Sequence, residues 1–359
     1  MVDSIFVTSS SLYNYILENI NSYFLNNLIN FFKGNIALYV IYPLLIIAGL
    51  ILLIQYKREK IAKAIFVVAG VAIVWNIGFF GYLESLLESI PKIPLGNWIE
   101  SFVNFLIDNF QGPFESFSNL IESMIDSFES MLKLFHPMIL MLIISGLTYW
   151  KRKKIGLSIF VIIGLGILWN LNLWPELITT LASIITSVIV ALVIGIPVGI
   201  LKAHSKILHH LTRPILDFMQ TIPPFVYLIP ALMFFGLGTV SGVIATVVFA
   251  IAPPIRLTYL GIIQIPEEMK EAGRAYGANP LQMLYKIEIP GALPSIMMGI
   301  NQCIMLALSM VVIAAMIGAG GLGKIVLRSL SVVDIGMGFE AGIGIVIIAI
   351  ILDRLFDND

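Results

Sequence analysis

Long apolar runs alternate along this chain with short clusters of basic residues. Runs of spanning length fall at about 37–56, 61–82, 137–150, 155–174, 177–201, 214–236, 240–258, 292–317 and 337–353, which predicts nine transmembrane helices. The basic clusters sit in alternate loops. Lys57, Arg58, Lys60 and Lys63 form one, Lys151 to Lys154 another, and Lys202, Lys206 and Arg213 a third. Arg256, Lys270, Arg274, Lys286 and Arg354 follow, so that 16 of the 21 basic residues face one side of the nine-span arrangement. The positive-inside rule makes that side cytoplasmic, with the amino terminus outside and the carboxyl terminus inside a cytoplasmic membrane.

One stretch breaks the apolar rhythm on the basic side. From Glu271 to Pro290 the chain reads EAGRAYGANPLQMLYKIEIP, too polar and too short to span. Pro266 with Glu267 and Glu268 predicts a helix start, because proline tolerates the first turn and acids suit its positive dipole end. Gly277 is expected to close that helix in a left-handed cap, and Asn279-Pro280 to stop it. A second short helix is predicted over 281–287, with Pro290 as the next boundary. The expected product is a helix-turn-helix elbow presented to something soluble.

The segment 83–136, on the opposite side, carries eight acids against Lys92 and Lys133. Phe114, Phe117, Ile121, Met124, Phe128 and Met131 recur at three- and four-residue steps, with Glu115, Glu122 and Glu129 on the other face. This predicts an amphipathic helix, either lying on the outer membrane surface or packed against the bundle. It would act as a structural collar or as a contact for a binding protein. Residues 43–76 and 137–170 also align at a constant offset of 94, with thirteen of thirty-four positions identical, including a shared basic loop and a Trp-Asn ending. Both copies have the same orientation, so the repeat is parallel rather than inverted.

Composition narrows the class. Hydrophobic residues make up 58% of the chain and charged residues 12%, which defines an integral membrane protein of all-α class. Cys303 is the single cysteine, so neither a disulfide framework nor a thiolate metal cluster is available. The first twenty residues lack the basic and compact apolar regions of a signal peptide. The expected organisation is an external amphipathic segment (1–36), a peripheral hairpin (37–82), the acidic segment (83–136), a second hairpin (137–175) and a transmembrane core (176–355).

The spacing of the elbow resembles the signature loop of binding-protein-dependent ABC importer permeases: Glu-Ala-Ala, three residues, Gly, nine residues, Ile, one residue, Leu-Pro. Glu271, Ala272, Gly277, Ile287 and Pro290 fall on it, while Gly273 replaces the second Ala and Ile289 the Leu. The strings LVIGIPVGIL, LDFMQTIPPFVYLIPALMFFGLG, FAIAPPIRLTYLGI and NQCIMLALSMVVIAAMIGAGGLGKIVLRSL are similar to the glycine betaine/proline betaine permeases of osmoprotectant ABC importers. This likeness covers about half the chain well, and the first ninety residues look like an extension. It implies a five-span type I importer core, a homodimer of two permease copies, two ATPase subunits that carry ATP and magnesium, and a substrate-binding protein. It further implies that Glu271, Ala272, Gly273, Arg274, Gly277, Ile287 and Pro290 couple to the ATPase. No cofactor is expected in this chain itself, and lipid rather than nucleic acid is its surroundings.

A zwitterionic betaine needs aromatic faces for its cation and donors for its carboxylate. Met219, Gln220, Phe225 and Tyr227, with Phe218, Phe234 and Phe235, line the sixth predicted span beside the Pro223-Pro224 break, and Asn301, Gln302 and Ser309 lie on the eighth. Met219, Gln220, Phe225, Tyr227, Asn301, Gln302 and Ser309 are the candidate translocation residues, with hydrophobic packing as the competing reading of the aromatics. GAGGLGKI (318–325) imitates a phosphate-binding loop but ends in Ile325, which lacks the hydroxyl for magnesium, so it reads as a glycine-rich bend. His204, His209 and His210 read as solvated loop residues rather than metal ligands, because no carboxylate or thiolate accompanies them. No catalytic set is found. The alternatives are a permease for methionine or another amino acid, and an ion-coupled carrier; the latter lacks mid-membrane ionisable residues beyond Asp217 and Glu340.

Overall fold

The computed structural model describes residues 59–76 and 94–356, with positions 44, 46, 47 and 51 besides. The predicted 1–36 segment, nearly all of the first predicted span and the stretch 77–93 lie outside the described residues. The chain divides into two compact units after Leu95. In the first, α1 (Glu59–Asn76) reaches the Trp-Asn pair of the first repeat copy.

The second unit is helical throughout its described length. It begins with α2 (Leu95–Lys133), 39 residues long and kinked at Phe110, where φ is −123°. Pro113 lacks the amide that would continue the ladder and its ring crowds the preceding turn, which accounts for the kink. Beyond the kink Ile121, Ile125 and Leu132 are buried. Phe114 meets Phe234 in a tilted contact at 4.8 Å and Phe235 edge to face at 5.7 Å. This part of the acidic segment therefore packs against the bundle. Before the kink Trp98, Ile99, Phe102 and Phe105 stay exposed, an apolar face suited to lipid.

The second repeat copy forms α3 (Pro137–Arg152) and α4 (Ile155–Asn170). Ser145 and Ser158 exchange hydroxyl-to-carbonyl hydrogen bonds across this hairpin, at 3.1 and 3.2 Å. Each helix has 16 residues, about 24 Å of rise, which is less than the roughly 30 Å of a bilayer core.

The core follows: α5 (Trp174–His204), α6 (Lys206–Thr221), α7 (Leu228–Phe235), α8 (Thr239–Ala250), α9 (Ala252–Ile263), α10 (Glu267–Ala275), α11 (Pro280–Met283), α12 (Ile289–Ala315), α13 (Leu322–Val332) and α14 (Ile335–Phe356). Among the described residues four stretches are each long and apolar enough to cross a membrane: Trp174–His204, Thr239–Ile263, Pro280–Ala315 and Ile335–Phe356.

Three expectations change. The sixth predicted span, 214–236, is not one helix: α6 and the segment Pro224–Phe235 meet at 111°. Ile222 has an extended backbone (ψ 132°), which the following proline favours, and the paired prolines remove two successive amide donors. The glycine-rich bend leads directly into α13, an eleven-residue helix where a loop was expected. Pro290 does not end a helix either, since Pro280–Ala315 runs on through it.

Glycine sets how closely the core helices approach. A β-carbon on Gly199 of α5 would lie 2.7 Å from Thr258 Cβ and 2.8 Å from the Ile255 carbonyl of α9. One on Gly261 of α9 would lie 2.9 Å from both Ala292 and Ser295 Cβ of α12. In lipid, where helices gain little from excluding water, such close packing is what holds a bundle. Gly199→Val is expected to destabilise the protein by about 1–3 kcal/mol; a lowered thermal unfolding midpoint in detergent, with membrane insertion retained, checks this.

Candidate functional site

The elbow is built from two limbs and a strained turn. Glu267 and Glu268 occupy the first turn of α10, where the helix dipole favours them. At its far end the Ala278 amide donates to the Gly273 carbonyl (3.0 Å) and the Gly277 amide to the Arg274 carbonyl (2.9 Å). That double closure is a Schellman cap, and it needs Gly277 at φ +75°, a conformation costly to any residue with a β-carbon. Asn279 then caps α11 in a reciprocal box with Gln282, at 2.8 and 2.9 Å. A π turn over Leu284–Glu288 joins α11 to α12, the Ile289 amide bonding the Leu284 carbonyl five residues back. Widening the helix there relieves the clash that the Pro290 ring would otherwise have with the preceding turn.

The seven residues expected to couple to the ATPase thus lie together on the elbow, in two settings. Gly273 is buried, and a β-carbon on it would fall 2.3 Å from Ile287 Cδ1 and 3.0 Å from Met283 Sδ. The methyl absent from Gly273 is replaced by the end of Ile287, which joins the limbs. Glu271 and Ala272 are exposed, and Arg274 pairs with Glu267 at 3.0 Å on the surface. Tyr276 at the turn is 93% exposed and Tyr285 67%. A knob whose inside is locked and whose outside carries two free aromatic rings is shaped to be gripped.

The candidate translocation residues do not gather into one cavity. Tyr227 is buried, donates its hydroxyl to the Met219 carbonyl and packs in a cluster with Met310. Gln220, Phe225, Gln302 and Ser309 are exposed on this chain, while Asn301 is half-buried and its Oδ1 has no donor. Phe234 and Phe235 face Phe114 of α2, in keeping with the packing reading of these aromatics.

Several functional groups were missed or misread. Thr180, Ser183 and Ser187, spaced along one face of α5, line a small cavity with Thr239 and Thr246 of α8. At about 20 Å³ it holds a water but no organic solute. The three-and-four spacing of those hydroxyls was a readable signal. His204 and His210 are exposed, His209 is half-buried, and the contacts of His204 and His209 were not foreseen. His209 stacks on Tyr259 at 4.8 Å, and His204 Nε2 lies 2.9 Å from Glu288 Oε2. Lys202 is buried with its ammonium 4.8 Å above the other partner of that stack, the Tyr259 ring, and Asp217 pairs with Arg256 of α9. The Gly318–Gly321 bend is pinned: the Leu322 amide donates to Thr180 Oγ1 at 2.8 Å.

Contacts between distant segments show which loops share an end of the bundle. Lys151 and Arg152 donate to the carbonyls of Leu355 and Arg354, the cationic loop covering the negative end of α14. His204, at the end of α5, meets the root of the elbow.

An all-helical core with a capped polar elbow between membrane-crossing helices defines a membrane permease, and residues 195–358 match the family described as binding-protein-dependent transport system inner membrane component. The chain belongs to this family of multi-pass membrane permeases. It is 48% identical over 272 residues to the glycine betaine/carnitine transport permease protein of Listeria monocytogenes, covering 75% of this chain and 96% of that protein. It is 41% identical to the glycine betaine/proline betaine transport system permease protein of Escherichia coli, over 78% of each chain. Against the glycine betaine transport system permease protein of Bacillus subtilis it is 42% identical, over 76% of this chain and 96% of that one.

The Gly273–Ile287 contact yields a paired expectation. Gly273→Val pushes the limbs apart at a cost of about 1–3 kcal/mol, whereas Gly273→Ala combined with Ile287→Val keeps the total volume and the fold. Hydrogen–deuterium exchange at the Ala278 amide, faster in the first variant and near wild type in the second, checks this.

Proposed function

We propose that this chain is the permease subunit of an ATP-driven importer for glycine betaine or a related quaternary ammonium osmoprotectant. The observation that carries the reading is the elbow, a rigid, capped and exposed knob rooted in two core helices. The names of the relatives support the solute class. The working unit pairs two copies of this chain with two ATPase subunits that hold ATP and magnesium, and with a binding protein on the outer side. The elbow end faces the cytoplasm, together with the carboxyl terminus, and the amino terminus lies outside. Residues 176–355 form the transport core; 37–82 and 137–175 are peripheral hairpins, and 83–136 is an external collar.

In this reading each elbow sits in a groove of one ATPase. Glu271, Ala272 and Arg274 meet the groove wall, Gly273 with Ile287 keeps the limbs fixed, and Gly277 and Pro290 shape the turn and the exit. ATP binding closes the ATPases and carries the elbows together, which opens the core to the outside. The binding protein then delivers its solute, and hydrolysis restores the inward-open state. Met219, Gln220, Phe225, Tyr227, Asn301, Gln302 and Ser309 contribute to the path only where the second copy encloses their exposed faces. Chemistry stays in the ATPase, and this chain is no enzyme.

The test is solute uptake and ATP hydrolysis by the complex in liposomes, with ATPase and binding protein present. Glycine betaine is expected to stimulate both. Gly277→Val, strained by about 1–2 kcal/mol or more at its positive φ, is expected to hydrolyse ATP with several-fold less uptake per ATP, while Gly277→Asn stays near wild type. A complex that responds to methionine and not betaine would move the substrate, and failure to assemble with an ATPase would sink the importer.

A further inference from the structure

We infer that α5 is a tie rod, gripped at one end by Glu288 and at the other by the glycine-rich bend, and that it carries elbow displacement across the membrane; the inference rests on the importer reading above. Glu288 lies in the π turn at the root of α12 and is buried, 7% exposed. A buried carboxylate is costly unless a cation meets it. His204, the last residue of α5, lies against it with Nε2 at 2.9 Å, while its Nδ1 lies 2.9 Å from the Ile200 carbonyl. Both ring nitrogens thus face oxygen atoms, one on the carboxylate and one on its own helix. No hydrogen-bond donor among the described residues is aligned on Glu288 Oε2. The His204 ring is thus the polar group that meets this oxygen.

About 36 Å along α5, at 1.5 Å per residue, Thr180 makes the second grip. Its Oγ1 accepts the Leu322 amide at 2.8 Å and donates to the Glu176 carbonyl at 2.7 Å. Gly321, at φ +84°, lets the bend approach so closely that a β-carbon there would sit 2.3 Å from Thr180 Oγ1. The bend joins α12 to α13, so α5 and α12 are fastened at both ends. Between the grips, Gly195 and Gly199 seat α5 directly on α9. A pull on the elbow that moves Glu288 reaches His204 first, then the rod, then the bend. Coupling through such a contiguous, two-ended element is the physical form that communication between distant sites takes.

The experiment measures solute taken up per ATP hydrolysed in the reconstituted complex, for Glu288→Gln, His204→Gln, Thr180→Val and the doubles E288Q/H204Q and E288Q/T180V. Each single is expected to lower the ratio about fivefold with hydrolysis continuing, and each double to do no worse than its worse single, because grips in series fail together. An unchanged ratio in any single variant would overturn the tie rod. So would doubles that multiply the losses, or hydrolysis and uptake falling together in step with thermal stability. Wild-type uptake in the same vesicles reports on the importer itself: if the unsubstituted chain moves no solute, that reading fails and the tie rod falls with it.

Discussion

A helix bundle in lipid cannot rely on the expulsion of water to hold its helices together, since acyl chains are as apolar as leucine. Close backbone approach has to do that work, and in this core it is concentrated on α9. Gly195 and Gly199 bring α5 onto Pro254 and Thr258, while Gly261 and Gly299 seat α9 against α12 from both sides of the contact. The central helix bears two adjacent prolines at its start, Pro253 and Pro254, whose flat rings offer surface without a long side chain. Every later feature, from the placement of the elbow to the pinned bend, depends on these three helices keeping one spacing.

The elbow solves a different problem, that of keeping a polar segment rigid outside the bilayer without a hydrophobic core of its own. Its backbone ends are satisfied locally, by the Schellman closure at Gly277 and the reciprocal Asn279–Gln282 pair. Its interior is one apolar joint, Gly273 with Met283 and Ile287. With so few parts, stiffness is obtained by leaving almost no backbone group free to seek another partner. The outward surface is thereby released for recognition.

What the sequence revealed follows from how local each cause is. The elbow was legible because proline, paired acids, glycine and Asn-Pro act within a few residues of themselves. The break near Pro223 was equally visible, although a hydropathy window averaged across it and returned a single span. The helix Leu322–Val332 was hidden, because it is short, carries Lys324 and Arg328, and follows three closely spaced glycines. Its start is fixed by the Thr180 hydroxyl, 142 positions away. His204 and Glu288 lie 84 positions apart, and neither has a neighbour in sequence that hints at the other. The partner ring of the Phe234–Phe235 pair was out of sight for a similar reason, since it belongs to α2.

The π turn at the root of α12 has a geometric meaning beyond making room for Pro290. An α-helix advances about 100° per residue, so one extra residue within a turn resets the angular phase of everything that follows it. Upstream of Leu284, the helix directs Met283 into the joint of the elbow; downstream, Ala292, Ile296, Gly299 and Cys303 face the interior. A regular helix through this point could satisfy one of these facings but would rotate the other away. The single surplus residue lets one continuous helix serve two surfaces that are out of register, and its deletion would turn the knob about the helix axis while leaving the membrane-crossing part unchanged.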